Sequence, residues 1–178
     1  MLVRHLVIAF AAFSLFGFAN AKTPWEEFID LPTPEHARAV NAMFLSGNPT
    51  EDESFSTNER GLMLLDAQVR AFDEEAIECA FRLLASADGH YGEMLSESLG
   101  SLIRPNPKLF LKHYSRHQKS IDRLDALVGN FGANYIDSYD AMVYESKMRI
   151  KALQSVTDRA LRGARDRCIA ELSSHGKK

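Results

Sequence analysis

The chain has little of the residue chemistry by which common enzymes are recognised from sequence. It has 178 residues, with two cysteines and one tryptophan. We find no HExxH pair, phosphate-binding GxxxxGK[ST] loop, GxSxG elbow, CxxC pair or zinc-ribbon spacing. These absences weigh against the metalloproteases, P-loop NTPases, serine hydrolases and zinc modules that carry such motifs. No residue pattern predicts a cofactor.

Long apolar runs are absent outside the N-terminus. There, the basic start MLVRH precedes a 13-residue apolar run, and ANA places small residues at the −3 and −1 positions before Lys22. This layout predicts a secretory signal peptide over residues 1–21, cleaved near Ala21. An uncleaved anchor is the alternative, but the run is shorter than the about 20 residues that span a bilayer. We therefore expect a periplasmic or secreted protein, not integral to the membrane, with a single domain over residues 22–178.

Cysteine is scarce, and both cysteines follow the predicted signal peptide. Cys79 and Cys168 lie 89 positions apart. In an oxidising compartment an even pair predicts a disulfide, which in the chain-entropy model would stabilise the fold by about 4–5 kcal/mol. Two buried free thiols are the alternative.

Strand signals are also missing, since no stretch alternates strictly between apolar and polar residues. Glycine and proline lie between segments in which apolar residues recur every three or four positions. This pattern predicts an all-α fold. The helix start signals are Thr33 with Pro34, Ser56 with Glu59, Asp73, and Asn106 with Pro107. A long helix is expected from about Tyr135 to Val156, and a last one from about Asp158 to Leu172.

A weak internal repeat suggests how the helices are arranged. Shifting the chain by 44 positions superposes Leu65 on Leu109 and Leu83 on Leu127. A period of 40 to 47 residues is typical of HEAT and armadillo arrays. We therefore expect stacked helical hairpins in a HEAT-like arrangement, with an irregular helical bundle as the alternative. The likeness concerns architecture only.

The small net charge of −3 hides a division along the chain. Residues 22–100 hold 16 acidic and 5 basic residues, a net charge of −11, whereas residues 101–178 hold 8 acidic and 15 basic residues, a net charge of +7. In a stacked array the two halves of the sequence become two halves of the molecule. The sequence therefore predicts an electrically bipolar protein.

The basic half contains a regularly spaced row of cations. The row is Lys108, Lys112, Arg116, Lys119 and Arg123. Steps of 4, 4, 3 and 4 would place these residues along one side of a helix, where they predict a binding face for an anionic partner. Arg159, Arg162 and Arg165 could extend this face. A solvated surface, relieved by Asp122 and Asp125, is the alternative.

Chemistry at these positions has weaker support. His113 and His117 are four residues apart and could share a metal ion, but no third ligand is evident and the surrounding cations would repel it. Asp137 and Asp140 could form a catalytic carboxylate pair, although acids at a helix start also suit the helix dipole.

The sequence thus favours an exported, non-enzymatic helical module that binds a protein with an acidic surface. Inhibitors and immunity-type proteins are one form that such a module takes. Nucleic acid is not expected as the partner of an exported, net acidic protein. A metal- or carboxylate-dependent envelope hydrolase and a periplasmic chaperone or assembly factor remain as alternatives.

Overall fold

A computed structural model describes residues 21–46, 59–87, 89–132, 135 and 137–175. The described residues form nine α-helices and no strand, which confirms the all-α prediction. The helices are α1 (Pro24–Asp30), α2 (Pro34–Leu45), α3 (Glu59–Arg70), α4 (Glu74–Leu84), α5 (Gly89–Ser101), α6 (Pro107–His117), α7 (Leu124–Gly129), α8 (Tyr139–Gln154) and α9 (Arg162–His175). The predicted signal peptide and the predicted cap at Ser56 lie outside the described residues, apart from Ala21.

Side-chain caps begin several helices where the sequence predicts them. The side chains of Thr33, Asp73 and Asn106 each accept a hydrogen bond from a backbone N–H in the first turn of α2, α4 and α6. The same chemistry begins α1, where Thr23 and Glu26 form a reciprocal capping box. These caps satisfy N–H groups that have no partner within their own helix.

The helices stack in two layers. Each helix packs against the one two positions further along the chain, so α1, α3, α5, α7 and α9 follow one another in one layer. Helices α2, α4, α6 and α8 do the same in the other layer. Contacts of α1 with α2, α3 with α4, and α8 with α9 join the layers. This two-layer packing agrees with a helical bundle or a stacked-hairpin arrangement.

The repeat length differs from the predicted one. Helices α4 and α6 begin 33 positions apart, and α3 and α5 begin 30 positions apart. A shift of 44 instead carries Leu65 of α3 onto Leu109 of α6, a helix of the other layer. The 44-residue correspondence is therefore wrong as a hairpin repeat. It arose because amphipathic helices share apolar spacing whichever layer they occupy.

One connected cluster of buried apolar side chains runs from Trp25 in α1 to Leu172 in α9. Between α4 and α6 it includes Phe81 and Phe110, whose ring centroids lie 6.1 Å apart. Tyr114 stacks on Phe110 at 5.9 Å. Among the described residues, no helix has both the length and the apolar character that crossing a bilayer requires.

Two predicted helix starts differ from the structure. The long helix α8 begins at Tyr139 rather than near Tyr135, because the Ser138 hydroxyl accepts a hydrogen bond from the backbone N–H of Ala141. The last segment begins with a 3₁₀ turn over Arg159–Leu161 and continues as α9.

Candidate functional site

The predicted basic row does not lie on a single helix. Lys108, Lys112 and Arg116 lie on α6, Lys119 lies in the turn after it, and Arg123 immediately precedes α7. The helix ends at His117, and the backbone turns there because the N–H of Ser120 bonds to the His117 carbonyl at 2.8 Å. The expectation of five cations along one helix is therefore wrong for the last two. We refer to the five residues as the α6 basic surface.

Four of these five cations form ion pairs within the chain. The pairs are Lys108 with Asp158 (4.0 Å), Lys112 with Glu74, Arg116 with Glu78 (3.8 Å) and Arg123 with Asp125 (3.1 Å). Lys119 is exposed and pairs with no carboxylate of the described residues. Glu74 and Glu78 lie on α4, in the acidic half. The acidic and basic halves of the chain therefore attract each other where α4 meets α6. Most cations of the α6 basic surface already have a partner within the chain.

A largely buried carboxylate lies at the centre of the junction between α4 and α6. Glu78, whose side chain is 16% exposed, is 3.1 Å from His113 Nδ1 and 2.9 Å from His117 Nε2. It also accepts a hydrogen bond from Arg82 Nη2 at 2.9 Å, one turn further along α4. The ring of Phe81 lies parallel to both imidazoles, at centroid distances of 6.4 and 5.5 Å. The two histidines therefore point into the helix junction and not into solvent.

His113 lies between two carboxylates. Its Nδ1 faces Glu78, and its buried Nε2 lies 3.7 Å from Glu74 and has no hydrogen-bond partner among the described residues. Burial lowers the pKa of His113 below its usual value, and this outweighs Glu78, which raises it. The neutral ring donates from Nδ1 to Glu78 and leaves its second nitrogen unprotonated.

The two acids of α4 are held in their charged form. Burial acts to raise the pKa of Glu78, but His117, His113 and Arg82 together hold it below the usual value. The hydrogen bond from Lys112 lowers the pKa of Glu74. Both carboxylates therefore stay ionised at neutral pH and attract the α6 cations.

The candidate metal and catalytic residues do not assemble into one site. No group of three or more His, Cys, Asp or Glu residues within the described part of the chain could hold a metal ion. His113 and His117 instead share Glu78 with Arg82 and Arg116. Such neighbouring cations oppose a metal ion.

Asp137 and Asp140 lie at the start of α8, where both are exposed. Neither carboxylate takes part in the hydrogen bonds that hold the histidines. The structure therefore gives the hydrolase interpretation no shared catalytic centre within the described residues.

The predicted disulfide is not formed. Cys79 and Cys168 are both buried free thiols. Helix α6 packs against both α4 and α9, which carry them. Burial raises the pKa of each thiol to about 12, so neither is a reactive thiolate at neutral pH.

A second buried ion lies at the other end of the stack and was not predicted. The side chain of Arg149 in α8 is 5% exposed and donates from Nη1 to the Val128 carbonyl at 2.8 Å. It also contacts Glu145 at 3.4 Å, and its guanidinium lies 4.6 Å from the centre of the Phe131 ring. Arg104 reaches Glu145 from the connection before α6, at 3.0 Å. Because Val128 lies in the last turn of α7, Arg149 satisfies a carbonyl that the helix itself leaves unpaired.

Arg123 faces a different region from the rest of the row. It lines a cleft of about 640 Å³ between the α4–α5 connection and α7. Leu84, Gly92 and Ser96 form part of the walls, and Glu93 and Asp122 bring negative charge. The cleft mixes aliphatic and charged side chains, so it differs from the apolar groove that a chaperone would need.

The extension of the basic surface into the last helix is partial. Arg159 and Arg162 are exposed. Arg165 instead donates to the Val156 carbonyl at 2.9 Å and to Asp166 at 2.8 Å, and this fixes the start of α9.

Comparison with known proteins adds no family to this description. The chain matches no protein-family model, no curated protein and no solved structure. Its function has to be inferred from its own residues.

Proposed function

We propose that this protein is an exported, non-enzymatic binding module that holds an acidic protein partner on the α6 basic surface. An inhibitor or immunity-type protein is one form of such a module. The carrying observation is an excess of cations. Arg82 and four residues of the surface share four carboxylates in their ion pairs, which are Glu74, Glu78, Asp125 and Asp158, and Lys119 adds a further cation that pairs with no carboxylate of the described residues.

Two lysines are the strongest contacts for a partner. Lys119 has no carboxylate partner among the described residues, and Lys108 is 72% exposed with its nearest carboxylate at 4.0 Å. A solvent-exposed pair at that distance contributes little to folding. Acidic groups of another protein can therefore pair with both lysines at small cost to this fold.

The junction with α4 supports such a surface by fixing α6 in place. Glu78 holds His113 and His117 on the buried side of the helix, while Arg116, 3.8 Å from the same carboxylate, remains 55% exposed. A rigid row of charges loses less conformational entropy on binding than a mobile one. Exposed charges also raise the association rate, and salt screens this effect.

The test is affinity capture from the native envelope fraction with three immobilised baits. These are the wild type, Lys108→Glu/Lys119→Glu, and the control Arg38→Glu/Arg60→Glu, which makes the same charge change on exposed arginines of α2 and α3. We expect one protein to be captured by the wild type and the control at low salt, and to be lost at about 0.5 M salt.

The captured protein is then titrated against each variant by calorimetry. We expect the α6 double variant to bind at least about tenfold more weakly and the control Arg38→Glu/Arg60→Glu to bind like the wild type. Equal affinity of all three, or no protein captured at low salt, would overturn the proposal.

A further inference from the structure

A second charged strip lies on α8 and differs from the α6 basic surface in having no partners among the described residues. It consists of Asp140, Tyr144, Lys147 and Lys151, which we call the α8 strip. All four are exposed, and steps of 4, 3 and 4 place them along one side of the helix. Their side chains form no hydrogen bond, ion pair or ring contact with the described residues.

The strip points directly away from the core. The opposite side of α8 carries the buried residues Glu145, Ser146, Arg149 and Leu153. Asp140 and Lys151 cannot pair with each other within one chain, because 11 residues of helix separate them by about 16 Å. Neither charge therefore has a partner among the described residues, and both are open to another molecule.

The order of residues along the strip is suited to a copy of itself. Steps of 4, 3 and 4 read the same in both directions, so two α8 helices that lie antiparallel about a two-fold axis bring the strips into register. Asp140 then faces Lys151 of the second copy, and Tyr144 faces Lys147 of the second copy. By symmetry each contact forms twice.

Other features of the helix agree with this arrangement. Val143 and Met148, which flank the strip and are half-buried, exchange places under the same axis and meet across it. The Tyr144 ring can receive the Lys147 ammonium as a cation–π contact. Antiparallel packing also brings the positive end of each helix dipole beside the negative end of the other.

We propose that the protein forms a two-fold symmetric homodimer through the α8 strip. The order of charges along the strip favours a second copy of the chain over an acidic partner. A surface for an acidic partner needs cations alone, whereas the strip has an acid at one end and a lysine at the other. The pairs are exposed, so the dimer weakens as salt screens them.

The test uses charge exchange and sedimentation velocity on the purified protein at low salt. Asp140→Lys alone places two lysines opposite each other, and Lys151→Asp alone places two aspartates opposite each other. The double variant restores opposite charges with their positions exchanged. Each affected contact occurs twice, so we expect each single variant to weaken dimerisation at least about tenfold and the double variant to recover most of that loss. Arg60→Asp, a charge reversal of an exposed residue of α3 outside the strip and outside the α6 basic surface, should dimerise like the wild type.

Effects on the helix itself cannot produce the same result. Asp140 lies in the first turn of α8 and Lys151 in the last turn, so each substitution opposes the helix dipole. The double variant carries both substitutions and has the least favoured helix, yet it alone should recover the dimer. Thermal unfolding of the variants checks this order separately.

Several outcomes would overturn the dimer. These are a wild type that stays monomeric up to millimolar concentration, a double variant no better than the single ones, and equal weakening by Arg60→Asp. The result is independent of the partner proposed for the α6 basic surface, because that proposal is tested at Lys108 and Lys119.

Discussion

At the junction of α4 and α6 a largely buried carboxylate is surrounded by donors, whereas at the junction of α7 and α8 a buried guanidinium is surrounded by acceptors. The Glu78 carboxylate forms hydrogen bonds with two imidazoles and accepts one from an arginine. Arg149 gives its hydrogen bonds to a backbone carbonyl and a carboxylate and lies against an aromatic ring.

The difference lies in which partners can titrate. Burial lowers the pKa of His113 below its usual value, so this neighbour of Glu78 gains a proton, and with it a charge, only as the pH falls. A backbone carbonyl and a phenyl ring do not titrate, so these two contacts of Arg149 do not depend on pH. The first junction is therefore sensitive to pH, and the second acts mainly as a fixed connection.

The largest effect is expected from Arg149→Ala. It leaves Glu145 buried beside a single arginine and removes the donor to the Val128 carbonyl, so we expect the free energy of unfolding to fall by about 3–5 kcal/mol. Urea denaturation measures the loss. The double variant Arg149→Met/Glu145→Gln should lose less, because it leaves no uncompensated buried charge. An equal loss in both would show that charge burial is not the cause.

The next largest loss of stability is expected at Gly100, where the backbone of α5 lies close to that of α7 and to Arg149. A Cβ added at Gly100 would lie 2.6 Å from the Leu127 carbonyl oxygen and 3.0 Å from Arg149 Nη1. Gly100→Ala should therefore destabilise the protein by about 1–3 kcal/mol, since backbone has to move.

The control for this change is Gly163→Ala in α9. A Cβ there would meet no atom within 4 Å. Alanine favours helix over glycine, so the control should stabilise by about 0.5–1 kcal/mol. Two changes of the same sign would contradict the steric explanation.

At the anionic junction, Glu78→Gln should cost about 1–2 kcal/mol at pH 8, because charge-assisted hydrogen bonds become neutral and the new amide group faces other donors. Glu75→Gln is the matched control. Glu75 is more exposed and pairs with Arg38 on the surface, so less than about 1 kcal/mol should be lost. If both variants lose the same amount, burial of Glu78 adds nothing to its hydrogen bonds.

The smallest effect is a pH dependence that belongs to the α4–α6 junction. Because the pKa of His113 is lowered from 6.5 in the folded protein, the unfolded chain takes up its proton first as the pH falls. The contribution of His113 to the free energy of unfolding should therefore be constant above about pH 6.5 and decrease below it. The pKa of Glu78 is lowered from 4.5, so protonation of this group adds a further loss of stability below about pH 4.5.

Melting temperatures between pH 8 and pH 5 test the His113 term. His113→Asn keeps a donor toward Glu78 but cannot titrate, so its melting temperature should fall less over this range. A wild-type melting temperature that rises on acidification would contradict the assignment of a neutral, buried His113.

Local signals in the sequence predicted the helices well, because capping depends on neighbouring residues. Asp73 and Asn106 begin their helices as expected. The end of α6 at His117 was missed, since residues 118–123 contain neither glycine nor proline. Helix α1 has a cap at Thr23 that sequence reasoning could have used.

Contacts between distant residues could not be predicted in this way. Glu78 lies between the core positions Ile77 and Cys79, which hints at burial, but nothing in the sequence shows that two histidines 35 and 39 positions later approach it. The disulfide was inferred from cysteine number and compartment, whereas bridge formation depends on where the helices place the two sulfur atoms.

The charge division between α4 and α6 also acts before the chain has folded. Glu74 and Lys112 are 38 positions apart, so in the unfolded chain an acidic segment and a basic segment are joined by a flexible loop of moderate length. Their attraction favours early encounters between the two helices that later share Glu78. We expect refolding to slow as ionic strength rises, while the unfolding rate, governed by packed contacts, changes less. Electrostatics would then contribute to the speed with which the two halves find each other, besides contributing to the stability of their junction.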